Sequence, residues 1–277
     1  MLPFTEEREA PKNFWTWLNK RHNLQKKGHK DTVVVVCGGE QMGKSRWTLR
    51  TEWCLAKEEF YKEGKINVDK IVFTGEDYRY QVTHNKKSII HDDEAITHFY
   101  SRQAMTQENV DCNQTLAQCG YRHNLQFILI PDFFVLDTYL RQHRVHAIVK
   151  IYANNKFKVW TFYKNNGQEN KKKLKKILKL KSFSVTPSSK GWWTDKDDTE
   201  EFKKFVKEYR KKEDKFKTKS GEKREQAKKK PKGEKEIKLE IANRLLKNPH
   251  ATKKQVAEQI GISRWTLDRW KEKEVAK

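Results

Sequence analysis

The stretch Val33–Ser45, VVVVCGGEQMGKS, decides how this chain is read. Four consecutive valines make a β-branched apolar run that suits a buried strand. The run feeds a glycine-rich turn ending in Gly-Lys-Ser, which completes the pattern G-x-x-x-x-G-K-[ST]. Gly38 opens it, Gly39, Glu40, Gln41 and Met42 follow, and Gly43, Lys44 and Ser45 close it, with Arg46 next in line. Gly38 and Gly43 permit backbone angles at which successive N–H groups curl around a phosphate. The segment SRWTLRTEWCLAKEEFYKEG reads as a helix, and its positive N-terminal end adds to the same site. Lys44 is placed to reach the outer phosphates of a nucleoside triphosphate, and Ser45 to ligate Mg²⁺.

The rest of the chain sets bounds. Its 277 residues suffice for one large domain, or for one medium domain and one small one. Hydrophobic and charged residues each make up 35%, and mean hydropathy is −1.02, so part of the chain is expected to pack weakly. The net charge of +23 is uneven. Residues 1–163 carry 24 Lys/Arg against 19 Asp/Glu, and residues 164–277 carry 36 against 18. The excess of +18 in the second part points to a polyanionic partner, nucleic acid before an anionic membrane surface. No run of about 18 apolar residues predicts a membrane span. The opening MLPFTEEREAPKNF has no signal-peptide core, and Cys37, Cys54, Cys112 and Cys119 have no metal-ligand spacing, so a reducing cytoplasm is expected.

Outward from the glycine loop, FWTWLNKRHNLQKKGHK within residues 1–30 is an aromatic and basic segment expected to pack on the domain edge. Strands are expected at Thr32–Val36, Lys70–Thr74, Ser88–His91, 124–131 and 145–152. KFKVWTFY would return as a hairpin through Asn154-Asn155. Helices are expected at Lys44–Tyr61, Ala95–Ala104, Thr106–Cys119 and 133–144, with GEDYRYQVTHNKK as a polar connection. Alternating strands and helices predict an α/β fold with a mostly parallel, doubly wound sheet over residues 31–165, extended by the hairpin strand. The third strand ends in SIIHDDEA, apolar residues followed by Asp-Glu, the Walker B pattern. Asp93 would hold Mg²⁺, with Asp92 in that role if the register slips by one, and Glu94 would orient or deprotonate an attacking water. The spacing leaves room for one strand between the two motifs.

The order GGEQMGKS, IIHDDEA, GYRHN, FILIPDF and LDTYLRQHR resembles the FtsK–HerA class of ring ATPases over residues 30–165, in particular its phage and mobile-element, zonula-occludens-toxin-like members. The resemblance implies a P-loop NTPase fold, ATP and Mg²⁺ as cofactors, and a homo-oligomeric ring. It also implies an arginine reaching into the neighbouring subunit's site. Arg122 is the first candidate, with Arg141, Arg144 and Arg102 as alternatives. Where that class carries a polar sensor, often Gln, this chain has Pro131-Asp132.

Residues 166–234 read as a basic connector, partly helical and partly disordered, with a lysine cluster at 171–181 suited to phosphate contact. SFSVTPSSKGWWTD reads as a loop, and DTEEFKKFVKEYRKKEDKFK as a charged helix. Residues 235–277 suit three short helices, at Lys235–Lys247, Lys253–Gln259 and after Ser263. Ile237, Ile241, Leu245 and Leu246 form the first helix's apolar side, and Val256, Ile260, Ile262, Leu267 and Trp270 a small core. The pattern at Gly261, Ser263, Thr266, Arg269 and Trp270 resembles the helix-turn-helix of resolvases and transposases. That implies DNA contact through Lys253, Lys254, Arg264, Trp265, Thr266, Asp268 and Arg269.

Taken together, the sequence predicts an ATP-hydrolysing, duplex-DNA-handling protein of a phage or mobile element, a translocation or packaging ring with a portal, replication or other protein partner. A replication or transposition helper ATPase and a nucleotide-sensing transcription regulator are the alternatives.

Overall fold

Strand β1 (Thr32–Cys37) lies inside the sheet with all six residues buried. In the computed structural model, residues 14–18, 21, 31–56, 68–162, 172–194, 198–228, 234–246 and 252–275 are described. Side chains alternate across a strand, so the valine run serves two cores at once. Val33, Val35 and Cys37 pack with Tyr78, Leu116, Trp160 and Leu174 on one face. Val34 and Val36 pack with Trp47, Phe127, Phe157 and Trp193 on the other, where Phe14, Trp17 and Leu18 of the N-terminal segment are also buried.

The remaining strands are β2 (Ile71–Val72), β3 (Ile89–Asp92), β4 (Leu125–Ile130), β5 (Ala147–Ala153), β6 (Lys156–Thr161) and β7 (Ser189–Trp192). The sheet order is β2-β3-β4-β1-β5-β6-β7. The first five in that row are parallel, and β6 and β7 run antiparallel. β4 therefore separates β1 from β3, the one-strand gap expected between the two motifs. Besides a helical stretch at 14–18, the described residues include helices α1 (Lys44–Ala56), α2 (Gly75–His84), α3 (Gln107–Gln118), α4 (Lys172–Leu180), α5 (Glu200–Lys228), α6 (Glu234–Leu245), α7 (Lys253–Gln259) and α8 (Arg264–Val275).

Several expectations are corrected. The polar connection after β2 is helix α2, capped by Thr74 Oγ1, which accepts from Asp77 N at 3.1 Å. Its Tyr78 and Val82 are buried one turn apart. Residues 95–104 hold two 3₁₀ turns, Ala95–Thr97 and Ser101–Gln103, in place of a helix. Residues 133–144 split into a 3₁₀ turn at Phe133–Val135 and a π turn at Leu140–Arg144, because Asp132 caps the first and Asp137 starts a new turn by accepting from Tyr139 N. The stretch read as a loop contains β7, and the core runs on past residue 165: Leu174 and Ile177 of α4 are buried in it. The last part of the expected first helix, 57–61, lies outside the described residues.

By its contacts the chain divides into Met1–Glu213 and Asp214–Lys277, with the division inside α5. In the second unit Ala242, Val256, Ala257, Ile260 and Leu267 form a small core, with Leu245, Leu246 and Ile262 against it. Thr252 and Gln255 make a reciprocal capping box at the start of α7. Gly261 turns the chain at φ +71, and Ser263 Oγ accepts from Thr266 N at the start of α8. Trp270 is half-buried, whereas Ile241, expected on the inner side of its helix, is 45% exposed.

Arg144 is held inside the first unit. Its guanidinium donates to Asp31 Oδ2 at 2.6 Å, and that carboxylate is fully buried. This fixes it within its own chain, so it is a poor candidate for reaching a neighbour. Arg144→Ala should lower folding stability by about 3–5 kcal/mol, because it strands a buried charge. Chemical denaturation checks this, and a loss under about 1 kcal/mol would show that the pair carries no weight.

Candidate functional site

The glycine loop sits at the C-terminal end of β1, where α1 begins. Gly38 is buried, and a Cβ there would meet Ile151 O at 2.6 Å. Its N–H donates to Pro131 O at 3.1 Å, tying the loop to the end of β4. Gly43 has φ +88 and packs under the Trp193 ring, so a side chain would be strained on both counts. Gln41 also takes a left-handed angle, φ 59. Glu40 and Gln41 are exposed at the loop tip, and Met42 folds its sulfur towards Gly39. Lys44 Nζ donates to the carbonyls of Gly38 and Gly39, each at 2.9 Å, so the ammonium is centred over the loop. Half-burial lowers its pKa, against the opposing pull of Asp93 and Glu94.

The second motif meets this loop through one hydrogen bond. Ser45 Oγ donates to Asp93 Oδ1 at 2.7 Å. Asp92 points elsewhere. Fully buried, it is bound to His98 Nε2 at 2.8 Å. The register therefore sets Asp93, not Asp92, beside Ser45. Burial alone would raise the pKa of Asp93, but hydrogen bonds with His91, Tyr209 and Ser45 outweigh it and hold the carboxyl below the ordinary range. His91 bridges Asp93 Oδ1 and Glu52 Oε2 at 3.2 Å each. Burial opposes charge on His91, yet the two carboxylates win and raise its pKa. Glu94 follows on the half-buried turn that opens Ala95–Thr97.

A hydroxyl and an adjacent carboxylate are the hard oxygen donors that Mg²⁺ takes, since it keeps several waters and needs few protein ligands. Among the described residues no group of three or more His, Cys, Asp or Glu could hold a metal by itself. Ser45 and Asp93 thus fit Mg²⁺.

Sequence reasoning missed Tyr209, His91, Glu52 and Asp198. The first half of α5 lies on α1 and β3, with Phe202, Phe205, Val206 and Tyr209 buried. Phe202 and Phe205 pack on Trp53, and the Tyr209 ring stacks on Phe73 and His91. Tyr209 Oη donates to Asp93 Oδ2 at 2.6 Å. Asp198, just ahead of α5, ion-pairs with both Arg46 and Arg50. A usable signal was present: apolar residues at 202, 205, 206 and 209 follow the i, i+3, i+4, i+7 stripe of a docked helix.

The other arginine candidates are spread out. Arg122 precedes β4 at the end of the sheet away from the glycine loop and stacks on Tyr121. Arg141 is partly buried and donates to Thr138 Oγ1. Arg102 is exposed on the turns after β3, near Met105, which is 95% exposed. In the second unit Asp268 takes Lys253 at 2.8 Å and lies 3.8 Å from Arg264. The Arg269 guanidinium lies over the Trp265 ring, which is 69% exposed; Lys254 is exposed and Thr266 bonds Ser263.

No family model and no curated protein matches the chain. Among solved structures it is similar to the N-terminal domain of zonular occludens toxin from Neisseria meningitidis, at 18% identity and TM-score 0.37, covering 48% of this chain and 84% of that one. It is also similar to the genome packaging NTPase B204 from Sulfolobus turreted icosahedral virus 2 in complex with sulfate, at 13% identity and TM-score 0.36, and with ATP-γS, at 12% and 0.33. Each of these covers 48% of this chain and 92% of that one. Among the described residues no helix is long and apolar enough to cross a membrane.

The two aspartates should separate cleanly on substitution. Asp93→Asn is expected to abolish the Mg²⁺ dependence of fluorescent-ATP binding and also to lower the melting temperature, because it removes the carboxylate that His91 and Tyr209 bond. Asp92→Asn is expected to keep that dependence and lower the melting temperature by several degrees, roughly what losing 1–2 kcal/mol does to a domain of this size. The reverse pattern would move the metal role to Asp92.

Proposed function

We propose that the chain is an ATPase that acts on nucleic acid, of the kind that a phage or mobile element uses to move or package DNA. The Ser45–Asp93 hydrogen bond carries this reading, because it joins a complete phosphate loop to an Asp-Glu pair two strands away. Backbone N–H groups at the start of α1 and the Lys44 ammonium would cradle the phosphates. Ser45 and Asp93 would hold Mg²⁺, which offsets phosphate charge when bound. Glu94 would accept the proton of a water whose oxygen attacks the γ-phosphorus as the bond to the departing diphosphate breaks. Sites of this kind are completed by a neighbouring copy's arginine. Arg102, after β3, is the most exposed of the four and is taken for that role in a homo-oligomeric ring.

The second unit is read as a helix-turn-helix. Its support is the capped α7, the glycine turn and α8, with Arg264, Trp265 and Arg269 exposed along one helix. That unit also supports a second reading, in which ATP acts as a switch in a helper ATPase delivered to a DNA site.

Glu94→Gln should retain fluorescent-ATP binding and lose about 100-fold or more in hydrolysis rate. Lys44→Ala should lose both. Phosphate release measured with and without long duplex separates the readings: stimulation that grows with duplex length supports a motor, and saturation on a short site supports the switch. A Lys44→Ala chain that hydrolyses ATP at the parent rate would overturn the site.

A further inference from the structure

The antiparallel extension of the sheet carries a surface that the nucleotide site does not use. Lys150, Lys158 and Lys190 stand in register across β5, β6 and β7. One step nearer the phosphate-loop end, Lys156 pairs with Trp192. Alternation puts these side chains on one face, while Phe157 and Val159 turn into the core and β7 follows the same buried-exposed rhythm. Tyr152 is 41% exposed and Trp192 is 37% exposed. Lys158 Nζ lies 4.7 Å over the Tyr152 ring. Tyr152, Lys156, Lys190, Gly191 and Trp192 line a cleft of about 350 Å³. A larger cleft of about 520 Å³ shares Tyr152 and reaches Gly38, Gly39, Lys150 and Lys181.

Folding accounts for part of this face, since Lys150 Nζ lies 4.6 Å over the Phe183 ring, but not for its row of like charges. Like charges directly opposite on neighbouring strands repel. Lysines do protect sheet edges, which covers Lys190 on β7 but not Lys150 and Lys158 on interior strands. Among the described residues none of Lys150, Lys156, Lys158, Lys181 and Lys190 forms an ion pair with a carboxylate. A row of cations therefore calls for a row of anions. A lone nucleotide held by the glycine loop has its phosphates there and offers none to this row. A duplex would meet the lysines, but its bases are stacked away from Tyr152 and Trp192. Unpaired nucleic acid satisfies both, with phosphates on lysines and bases on exposed rings.

We propose that the β5–β6–β7 face binds an unpaired nucleic-acid strand beside the phosphate loop. Tyr152 and Trp192 stack bases, and the lysine row follows the backbone. The face has a direct line to the loop, because Tyr152 follows Ile151, whose carbonyl fills the space where a Gly38 side chain would go. The partner class rests on the nucleic-acid-handling reading above.

The test is anisotropy of labelled oligo(dT) and of a labelled duplex with the full chain. Tyr152→Ala/Trp192→Ala should weaken oligo(dT) binding about tenfold or more and leave duplex binding within about twofold. Tyr152→Phe/Trp192→Phe should restore it. Lys158→Gln/Lys190→Gln should reduce the slope of log affinity against log salt by about 1.4 on the single strand. Parent-like oligo(dT) affinity in the alanine variant would overturn the proposal. So would equal losses on both nucleic acids, or a loss of fluorescent-ATP binding alone, which would give the face to the base of ATP. Failure of the ATPase reading shows separately, in the hydrolysis rates of Lys44→Ala and Glu94→Gln.

Discussion

A single hydrogen bond, from Ser45 Oγ to Asp93 Oδ1, ties together two pieces of chain 48 residues apart. Everything around it serves to keep those two oxygens adjacent. β4 sets the distance, since β1 and β3 both pair with it and with nothing else between them. Gly38 lets the loop leave β1 hard against β5, and its N–H is anchored to the end of β4. Asp93 is nearly buried yet stays ionised because it accepts from Ser45, Tyr209 and the charged His91. A lone carboxylate at that depth would take up a proton instead. The cost of keeping a charge there explains why so many polar side chains converge on one atom pair.

That convergence brings in a helix from outside the doubly wound core. His91 is held between Asp93 and the buried Glu52 of α1, and Tyr209 of α5 covers the remaining Asp93 oxygen. Lys212, one turn further along α5, donates to the carbonyls of Val68 and Ile71, which pins the same helix to the edge of β2. With Asp198 on Arg46 and Arg50, the first half of α5 is bound at three points along its length. A segment with the composition of a solvated linker is thus part of the site's wall.

The fold was legible in the sequence wherever the signal was local. The valine run, the glycine loop, the Asn154-Asn155 hairpin with Asn155 at φ 60, and the caps at Thr252 and Ser263 each declare themselves within a few residues. Misses arose where composition hid a pattern or where the partner was remote. Helix α2 buries only Gly75, Tyr78 and Val82, so its cap at Thr74 was the stronger clue. β7 reads SKGW, four residues whose strand character comes only from pairing with β6. The Tyr209–Asp93 contact spans 116 residues, and no property of either residue announces it. Asp92 and Asp93 could not be told apart by spacing, because a one-residue slip in a strand exchanges its faces. Only the pairing of Ile89–Asp92 with β4 decides which carboxylate turns towards Ser45.

The distribution of charge takes on a different meaning once the strands are placed. Dividing the sequence near residue 163 assigns the excess to the second part, and Lys150, Lys156 and Lys158 are then counted in a nearly balanced first part. In the fold those three share a face with Lys190, from the other side of that division. In the second unit, by contrast, Asp268 of α8 takes Lys253 of α7 and lies near Arg264, so part of the basic charge there is matched. Net charge in sequence therefore hides a row of lysines that the fold lines up across three strands. A row of lysines on a sheet holds its charges at strand spacing, whereas lysines on solvated segments lose much of their attraction to conformational freedom and salt. A phosphate backbone is recognised by the spacing of the cations as well as by their number. The sheet face, one residue removed from the strand end that packs on Gly38, offers such spacing.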